Sequence, residues 1–335
     1  MSKAAICVVV PVYKAMATLD RCVESVLAQQ VEGGLTCILV DDGSPDESGA
    51  LCDAWAAKDD RVTVIHQDDL GVSGARNSGL AAADSEFIVF LDSDDALRPG
   101  ALQAALTAQR AAPQDFVVWH YTTDEKDPAA VTADAEPRTQ TGLARLWLDC
   151  LLAMPWNKLY RADLAKQLQF DVQYTLGEDL QFVLDYIALL GQTVPEFGYR
   201  VMTSPLTFYD CSRGGTLSTR YHANYCDIWP KHFAKLNAAC HAAACPAEDM
   251  RPLHRAELQV FAEGVADIMR RDPSPTQRLK GYKAEAALRS PWLRALLERM
   301  KIEHCYSAYY LPCRWRNVGL VCRVDEARRA NAPLY

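Results

Sequence analysis

Three carboxylates, Asp92, Asp94 and Asp95, follow directly on the apolar run Phe87-Ile88-Val89-Phe90-Leu91. The run is rich in β-branched and aromatic residues and reads as a short buried strand. Hard oxygen ligands where such a strand leaves the core suit a divalent cation. Taken alone, the segment describes a solvated acidic turn equally well. Other polar groups close further apolar runs: Tyr13 ends one, and the pair Asp41-Asp42 ends another. Glu178 and Asp179 open a helical pattern whose apolar face is Leu180, Val183, Leu184 and Ile187. In isolation that pair does no more than complement the positive end of a helix dipole. Arg213-Gly214-Gly215-Thr216-Leu217-Ser218 sets two glycines between a guanidinium and two hydroxyls, a loop rich in backbone donors.

The elements that must position these groups alternate. Ala4 to Val10 is an apolar strand stopped at Pro11-Val12-Tyr13. Leu19, Cys22, Val23, Val26 and Leu27 recur at helical spacing, with Thr18 as the expected N-cap. Cys37 to Val40 is the next strand, and Ser44-Pro45-Asp46-Glu47 has the form of a capping box opening a helix at Pro45. Val62 to Ile65 is a third strand, Gly71 to Gly79 opens a helix, and Phe87 to Leu91 is the fourth strand. Strand and helix in turn predict a mostly parallel sheet with helices on both faces. Such sheets bind ligands at the carboxyl edge, where these polar groups collect. No Gly-x-Gly-x-x-Gly follows the first strand and no Gly-x-x-x-x-Gly-Lys-Ser/Thr occurs, so the dinucleotide fingerprint and the P-loop are both absent from the sequence.

The chain has 335 residues, half of them hydrophobic, which allows a large α/β domain with a smaller appendage. A formal net charge of -8 argues against a nucleic-acid partner. Twelve cysteines are scattered, several inside apolar runs, as buried free thiols in a reducing cytoplasm would be. Cys240-His241 and Cys245 lack the second half of a zinc site. Ala4 to Val12 is too short to span a membrane and lacks a signal-peptide cleavage site.

Four segments in order, Pro11-Val12-Tyr13, Val40-Asp41-Asp42-Gly43-Ser44, Gly71-Val72-Ser73-Gly74-Ala75-Arg76-Asn77-Ser78-Gly79 and Phe90-Leu91-Asp92-Ser93-Asp94-Asp95, resemble the family 2 glycosyltransferases. Pro155-Trp156-Asn157-Lys158-Leu159-Tyr160 resembles a segment of their bacterial polysaccharide branch. Lys14 stands where many relatives have asparagine, and Gly74 where many have alanine. The resemblance implies the nucleotide-sugar-binding fold called GT-A, with a catalytic domain over residues 1–220 and a helical region over 221–335. Its donor half would cover residues up to about 110 and its acceptor half residues from about 140 to 220, the usual arrangement of a two-part α/β site.

It also implies roles. Pro11, Val12 and Tyr13 would lie against the nucleotide, the aromatic face on the base. Asp41 would accept from the base edge, usually uracil, with Asp42 assisting. Arg76 and Ser93 would help hold the nucleotide, Asp92 would serve ribose and metal, and Asp94 would ligate Mn2+ or Mg2+. Asp179 would deprotonate the acceptor hydroxyl while staying ionised at neutral pH, with Glu178 as orienting neighbour or runner-up. Arg213 and its loop would steady the leaving diphosphate. Trp156 reads as core or pocket wall rather than a sugar platform.

The implied activity is inverting transfer of a sugar from a nucleoside diphosphate, usually UDP, to a hydroxyl of a glycan or lipid-linked glycan in cell-surface polysaccharide synthesis. A sugar-nucleotide nucleotidyltransferase and a non-catalytic nucleotide-sugar-binding protein are the competing readings. The C-terminal region predicts a helix over Leu258 to Met269, a second over Gln277 to Leu288 and a third from Pro291. Beyond it, Tyr306, Tyr309, Tyr310 and Trp315 lie among Arg314, Arg316, Arg323, Arg328 and Arg329. That mixture fits either a packed segment or subunit contact, as in a homo-oligomer, or a peripheral contact with the inner membrane face.

Overall fold

The computed structural model describes residues 3–174, 176–212 and 220–331. In chain order the elements are β1 (Ala4–Val12), α1 (Leu19–Leu27), β2 (Leu35–Asp42), α2 (Ser48–Lys58), β3 (Val62–Gln67), α3 (Gly71–Ala82), β4 (Ser85–Phe90), β5 (Ala96–Leu97), α4 (Ala101–Ala111), β6 (Phe116–Thr122) and β7 (Ala135–Thr139). There follow α5 (Leu143–Leu148), β8 (Lys158–Arg161), α6 (Ala162–Ala165), α7 (Glu178–Thr193), β9 (Gly198–Phe208), α8 (Tyr225–Ala242), α9 (Ala247–Arg271), α10 (Gln277–Leu288), α11 (Pro291–Ile302), α12 (Tyr310–Arg314) and α13 (Val318–Asn331). Two compact units result, one of residues 1–142 with 149–214, the other of residues 143–148 with 215–335. The short helix α5, which lies in the stretch expected to form the acceptor half, thus packs within the helical unit.

In the first unit the strands run in the order β3-β2-β1-β4-β8-β6-β9-β5, with β7 paired to β9. The first four strands are mutually parallel. Beyond them the sheet is mixed, because β8 runs antiparallel to both β4 and β6. The parallel part is buried on both faces, and Ile6 to Val10 have no exposure at all. This is why these strands are unbroken apolar runs rather than alternating ones. In register Val12 faces Asp41, Asp41 faces His66, and Val9 faces Phe90. The residues just past each strand end therefore share one carboxyl edge.

Helix α1 turns Leu19, Cys22, Val23 and Val26 into the core. Thr18 is its N-cap residue, as expected, but the side chain makes no capping bond and its hydroxyl donates to the Ala15 carbonyl at 3.4 Å. The capping-box expectation is corrected too, since α2 begins at Ser48 with Glu47 as N-cap. Ser44 serves the sheet edge, receiving the Lys14 amide at 3.3 Å and giving its own amide to Asp41 Oδ1 at 3.1 Å. Those bonds take the hydroxyl and amide that a helix cap would have used. Gly43 makes the turn possible: its φ is +66°, and a Cβ there would lie 2.9 Å from the Asp69 amide nitrogen. Lys14 adopts a φ of 53°, a left-handed conformation that asparagine reaches at lower cost.

The second unit is helical. Leu258, Phe261, Ala262 and Val265 of α9 are fully buried against Ala284, Leu293, Met300 and Val321. Trp147 of α5 packs edge-on to Trp229 and Phe233 of α8, with ring centroids 6.0 and 5.7 Å apart. The three helices expected over Leu258 to Met269, Gln277 to Leu288 and from Pro291 are α9, α10 and α11. The C-terminal aromatics divide: Tyr309 and Tyr310 join this core, while Tyr306 and Trp315 are 48% and 63% exposed. All twelve cysteines are free thiols, with Cys150 and Cys211 exposed. Among the described residues no helix is long and apolar enough to cross a membrane.

Candidate functional site

The carboxyl edge of the parallel strands gathers the predicted groups. Tyr13, just past β1, is 44% exposed, while Pro11 and Val12 are buried in the strand. Asp41, at the end of β2, is 7% exposed. Its Oδ1 accepts from the Ser44 amide and its Oδ2 pairs with His66 Nδ1 at 3.0 Å. Burial works to raise this carboxyl, but the bonds from Ser44 and His66 outweigh it and hold the group below its ordinary value. Asp42 turns elsewhere: its Oδ1 accepts from Gln67 Nε2 at 2.7 Å and from the Leu70 amide at 2.9 Å. It thereby ties down the loop that leads into α3.

Helix α3 lies flat on the sheet because Gly79 lets it; a Cβ there would come within 2.3 Å of Val9 Cγ1. The approach carries Arg76 into the interior, where it is 3% exposed. One guanidinium nitrogen donates to Asp92 Oδ1 at 2.8 Å and the other to Asp179 Oδ1 at 2.6 Å. Its carbon stands 5.4 Å from the Phe170 ring centre. Burial opposes the charge, yet Asp179 and Asp92 more than compensate, so the guanidinium is always protonated. The fork that the resemblance assigned to the nucleotide is here closed on two carboxylates, one at the end of β4 and one in the first turn of α7.

That bridge spans 103 positions of sequence and is braced beside Arg76. Asn77 gives its side-chain amide to the Phe170 carbonyl at 2.9 Å and accepts the Phe170 amide at 2.8 Å. Phe170 then stacks on Phe182 of α7 with ring centres 4.0 Å apart. Two hydrogen bonds and one stacked aromatic pair, about 1 kcal/mol each, hold α3 to α7. Asp179 was expected to stay ionised throughout the neutral range. Instead burial raises its carboxyl to about 7, against the opposing pull of Arg76 and with Glu178 and Asp92 adding to the rise. Lys158 sits behind it with no exposure, its ammonium donating to the carbonyls of Leu151 and Met154 and to Asn157 Oδ1. Burial pushes Lys158 well down, partly offset by the Asp179 charge.

The acidic turn after β4 is held by groups that residue patterns did not single out. Arg21 of α1 donates to the Asp94 carbonyl at 2.5 Å and to Asp210 Oδ2 at 2.7 Å. Asp95, fully buried, accepts the Asp210 amide on Oδ1 at 2.9 Å. Its Oδ2 is buried with no hydrogen-bond partner among the described residues. Burial first, then the charges of Asp92, Asp94 and Asp210, raise Asp95 to about 9. Ser93 is half-buried in the turn. Trp156 is 3% exposed and stacks on Tyr209 at 5.4 Å, which makes it a wall of the core. Arg213 lies outside the described residues.

Sequence spacing had no means of finding Arg21 or Asp210, whose bonds span 73, 189 and 115 positions, while Lys158 lies in the Pro155 to Tyr160 segment of the resemblance but was given no role there. His66 had a weak signal as the polar residue closing the third strand.

Elsewhere the groups read as structural. His254, Glu303 and Cys305 bring three ligand atoms within 4.8 Å of one another in the helical unit. There His254 Nδ1 already pairs with Glu303 at 2.7 Å, and an Arg299 nitrogen lies 3.3 Å from Nε2, where a cation would be repelled. A cavity of about 320 Å³ in the same unit is lined by Asn237, Glu257, Trp292 and Arg299 among others, and by none of the predicted site residues.

Residues 7–169 match the family model described as Glycosyl transferase family 2. Glycosyltransferase GlyG of Streptococcus pneumoniae serotype 4 is 39% identical over 124 residues, 36% of this chain and 41% of that protein. Putative glycosyltransferase EpsH of Bacillus subtilis is 31% identical over 182 residues, 52% of each chain. The chain thus spans about half the length of the curated relatives it matches. Among solved structures, Staphylococcus aureus TarS 1–349 in complex with UDP-GlcNAc superposes with a TM-score of 0.62 at 17% identity, over 97% of this chain and 92% of that one. Mannosyltransferase PcManGT from Pyrobaculum calidifontis, in complex with GDP-Man and Mn2+, gives 0.52 at 17% identity over 97% and 87%. The fold is therefore the GT-A nucleotide-sugar transferase fold, a mixed sheet flanked by helices and followed by C-terminal helices.

Proposed function

We propose that this chain, whose residues 7–169 belong to glycosyl transferase family 2, is an inverting glycosyltransferase of bacterial surface-polysaccharide synthesis. It moves a sugar from a nucleoside diphosphate, UDP in the first instance, to a hydroxyl of a glycan or lipid-linked glycan. The observation that carries this reading is the Arg76 bridge, which joins Asp92 on the donor side to Asp179 on the acceptor side through bonds of 2.8 and 2.6 Å. A binding protein that did no chemistry has no need of a buried guanidinium coupling those two carboxylates.

Asp179 takes the proton of the acceptor hydroxyl as that oxygen attacks the anomeric carbon. A base raised to about 7 is matched to this task, since proton transfer is most effective when base and working pH agree. Arg76 aims the carboxylate and holds part of it ionised, and Glu178 stands beside it. On the donor side Tyr13 offers its exposed ring to the base, Asp41 accepts from the base edge, and Arg213 meets the diphosphate.

The acidic turn suits a divalent cation. Burial first, and then the charges of Asp92, Asp94 and Asp210, drive Asp95 to about 9, and a cation would relieve the charge part of that field. Asp94 and Asp92 would hold Mg2+ or Mn2+ by hard oxygens, leaving the other positions to phosphate and water. When bound, the metal neutralises charge on the departing diphosphate. The neighbour with GDP-Man and Mn2+ supports the cation, and the one with UDP-GlcNAc supports a nucleotide-sugar donor. The site works at the inner face of the membrane, where such donors and lipid-linked acceptors meet.

The test is turnover of a panel of nucleotide sugars by wild type and Asp179→Asn. The variant is expected to lose roughly 100-fold or more in kcat while binding UDP as before. Release of pyrophosphate from a nucleoside triphosphate would instead assign a nucleotidyltransferase.

A further inference from the structure

His66 is the penultimate residue of β3, and both of its ring nitrogens meet carboxylates. Nδ1 lies 3.0 Å from Asp41 Oδ2 on β2, and Nε2 lies 2.9 Å from Asp53 Oδ1 on α2. Ionised carboxylates only accept hydrogen bonds, so satisfying both contacts requires a proton on each nitrogen and a positive ring. The three residues thus form a chain from the half-open surface to the buried edge: Asp53 is 65% exposed at its side chain, His66 49% and Asp41 9%. Helix α2 closes the other side of Asp41. A Cβ on Gly49 would come within 2.7 Å of Asp41 Oδ2. The carboxylate is held between a glycine backbone, the Ser44 amide and an imidazolium.

We propose that His66 is a positioning residue for the donor, holding the Asp41 carboxylate charged and aimed at the ring N–H of the nucleobase. The inference rests on the donor reading above, through Asp41. Ser44, through its amide and hydroxyl, and His66 fill part of the roughly four acceptor positions of the carboxylate, so it keeps a lone pair for an incoming donor. The ligand class follows from the chemistry: nucleoside diphosphates whose base presents a ring N–H, as uracil and guanine do and cytosine and adenine do not. Removing the imidazolium would leave a buried acid free to take up a proton, and a protonated Asp41 turns a donor toward a donor.

The geometry also sets a pH response. The charged groups facing His66 are Asp41 from β2 and Asp53 from α2, while β3 itself carries none from Val62 to Gln67. Helix α3, the remaining helix against β3, carries only Arg76, which is committed to Asp92 and Asp179. Asp53 first, then Asp41, raise the ring above its ordinary value of 6.5. The support given to Asp41 is complete below that ordinary value and is lost as pH rises through the raised one.

The experiment is calorimetric titration of UDP into wild type, His66→Ala, His66→Asn and Asp53→Ala between about pH 6 and about pH 8, the range in which imidazole titrates. Wild type is expected to bind UDP more weakly as pH rises. His66→Ala binds about tenfold more weakly at the acid end, the loss expected for one charge-assisted bond, and levels off. His66→Asn keeps most of the affinity, because its amide still donates to Asp41, and provides the baseline for titration of the phosphate itself. Asp53→Ala shifts the fall to lower pH. Wild-type affinity in His66→Ala, or the same pH profile in wild type and His66→Asn, would overturn the inference while leaving the donor reading intact. A wild type that binds neither UDP nor GDP sinks both, and that failure is visible before any variant is made.

Discussion

Replacing Arg76 by alanine should damage stability and catalysis together, in amounts that follow from the geometry. The guanidinium side chain is 4% exposed, while its partners Asp92 and Asp179 keep 28% and 29% of theirs open. Breaking a fully buried ion pair from one side costs about 3–5 kcal/mol, because the remaining charge is stranded. Here the stranded carboxylates retain some water, which places the loss near the lower end, about 3 kcal/mol. For a domain of this size that lowers the melting temperature by roughly 6–12 °C.

The kinetic consequence has a definite sign. Arg76 is the principal group opposing the upward shift of Asp179, so its loss raises that carboxyl further above about 7. The base must be ionised to act, so kcat rises with pH through that value, and this acid limb moves to higher pH in the variant. With the carboxylate also released from its aim, turnover at neutral pH should fall about 100-fold. Arg76→Lys keeps the charge but loses the fork, and should fall between the two. Thermal melts and a pH-rate profile of all three proteins decide the matter. A variant that melts with wild type and keeps the same acid limb would refute the idea that Arg76 holds the base.

Three further outcomes test other parts of the site. Gly49→Ala on helix α2, which by propensity should stabilise by about 1 kcal/mol, puts a methyl 2.7 Å from Asp41 Oδ2 and should weaken UDP binding in a titration. Chelation should abolish turnover and Mn2+ or Mg2+ restore it, whereas Asp94→Ala should not be rescued at the same metal concentration; chelator-resistant turnover would contradict the metal assignment. Ile302, Tyr306, Leu311 and Trp315 are 78%, 48%, 47% and 63% exposed beside Arg314 and Arg316. If that face touches the inner membrane surface, the full chain should sediment with anionic vesicles and Trp315→Asp should reduce the bound fraction. Equal partitioning of the two proteins would instead leave this face to a subunit contact.

The sequence alone determined the parallel half of the fold. Runs such as Ile6 to Val10 and Ile88 to Leu91 are apolar without alternation because both faces of the strands are covered, and that property is local. The edge on which Tyr13, Asp41, Asp42 and Asp92 collect followed from it, since parallel strands end on one side. The helices of the C-terminal region were legible for the same reason, through spacing and through Pro291 at the start of α11.

What only the tertiary structure decided is which of these groups meet. Ser44 looked like a helix cap and became a tie between the ends of β1 and β2, because the Lys14 amide reaches its hydroxyl across the edge. Antiparallel β8 entered the sheet between β4 and β6, bringing Lys158 behind Asp179. Arg76, which the resemblance assigned to the nucleotide, is buried between carboxylates 16 and 103 positions away. Periodicity reports which face of an element is covered, but an ion pair over that distance depends on how α3 and α7 are packed, and no local pattern encodes it.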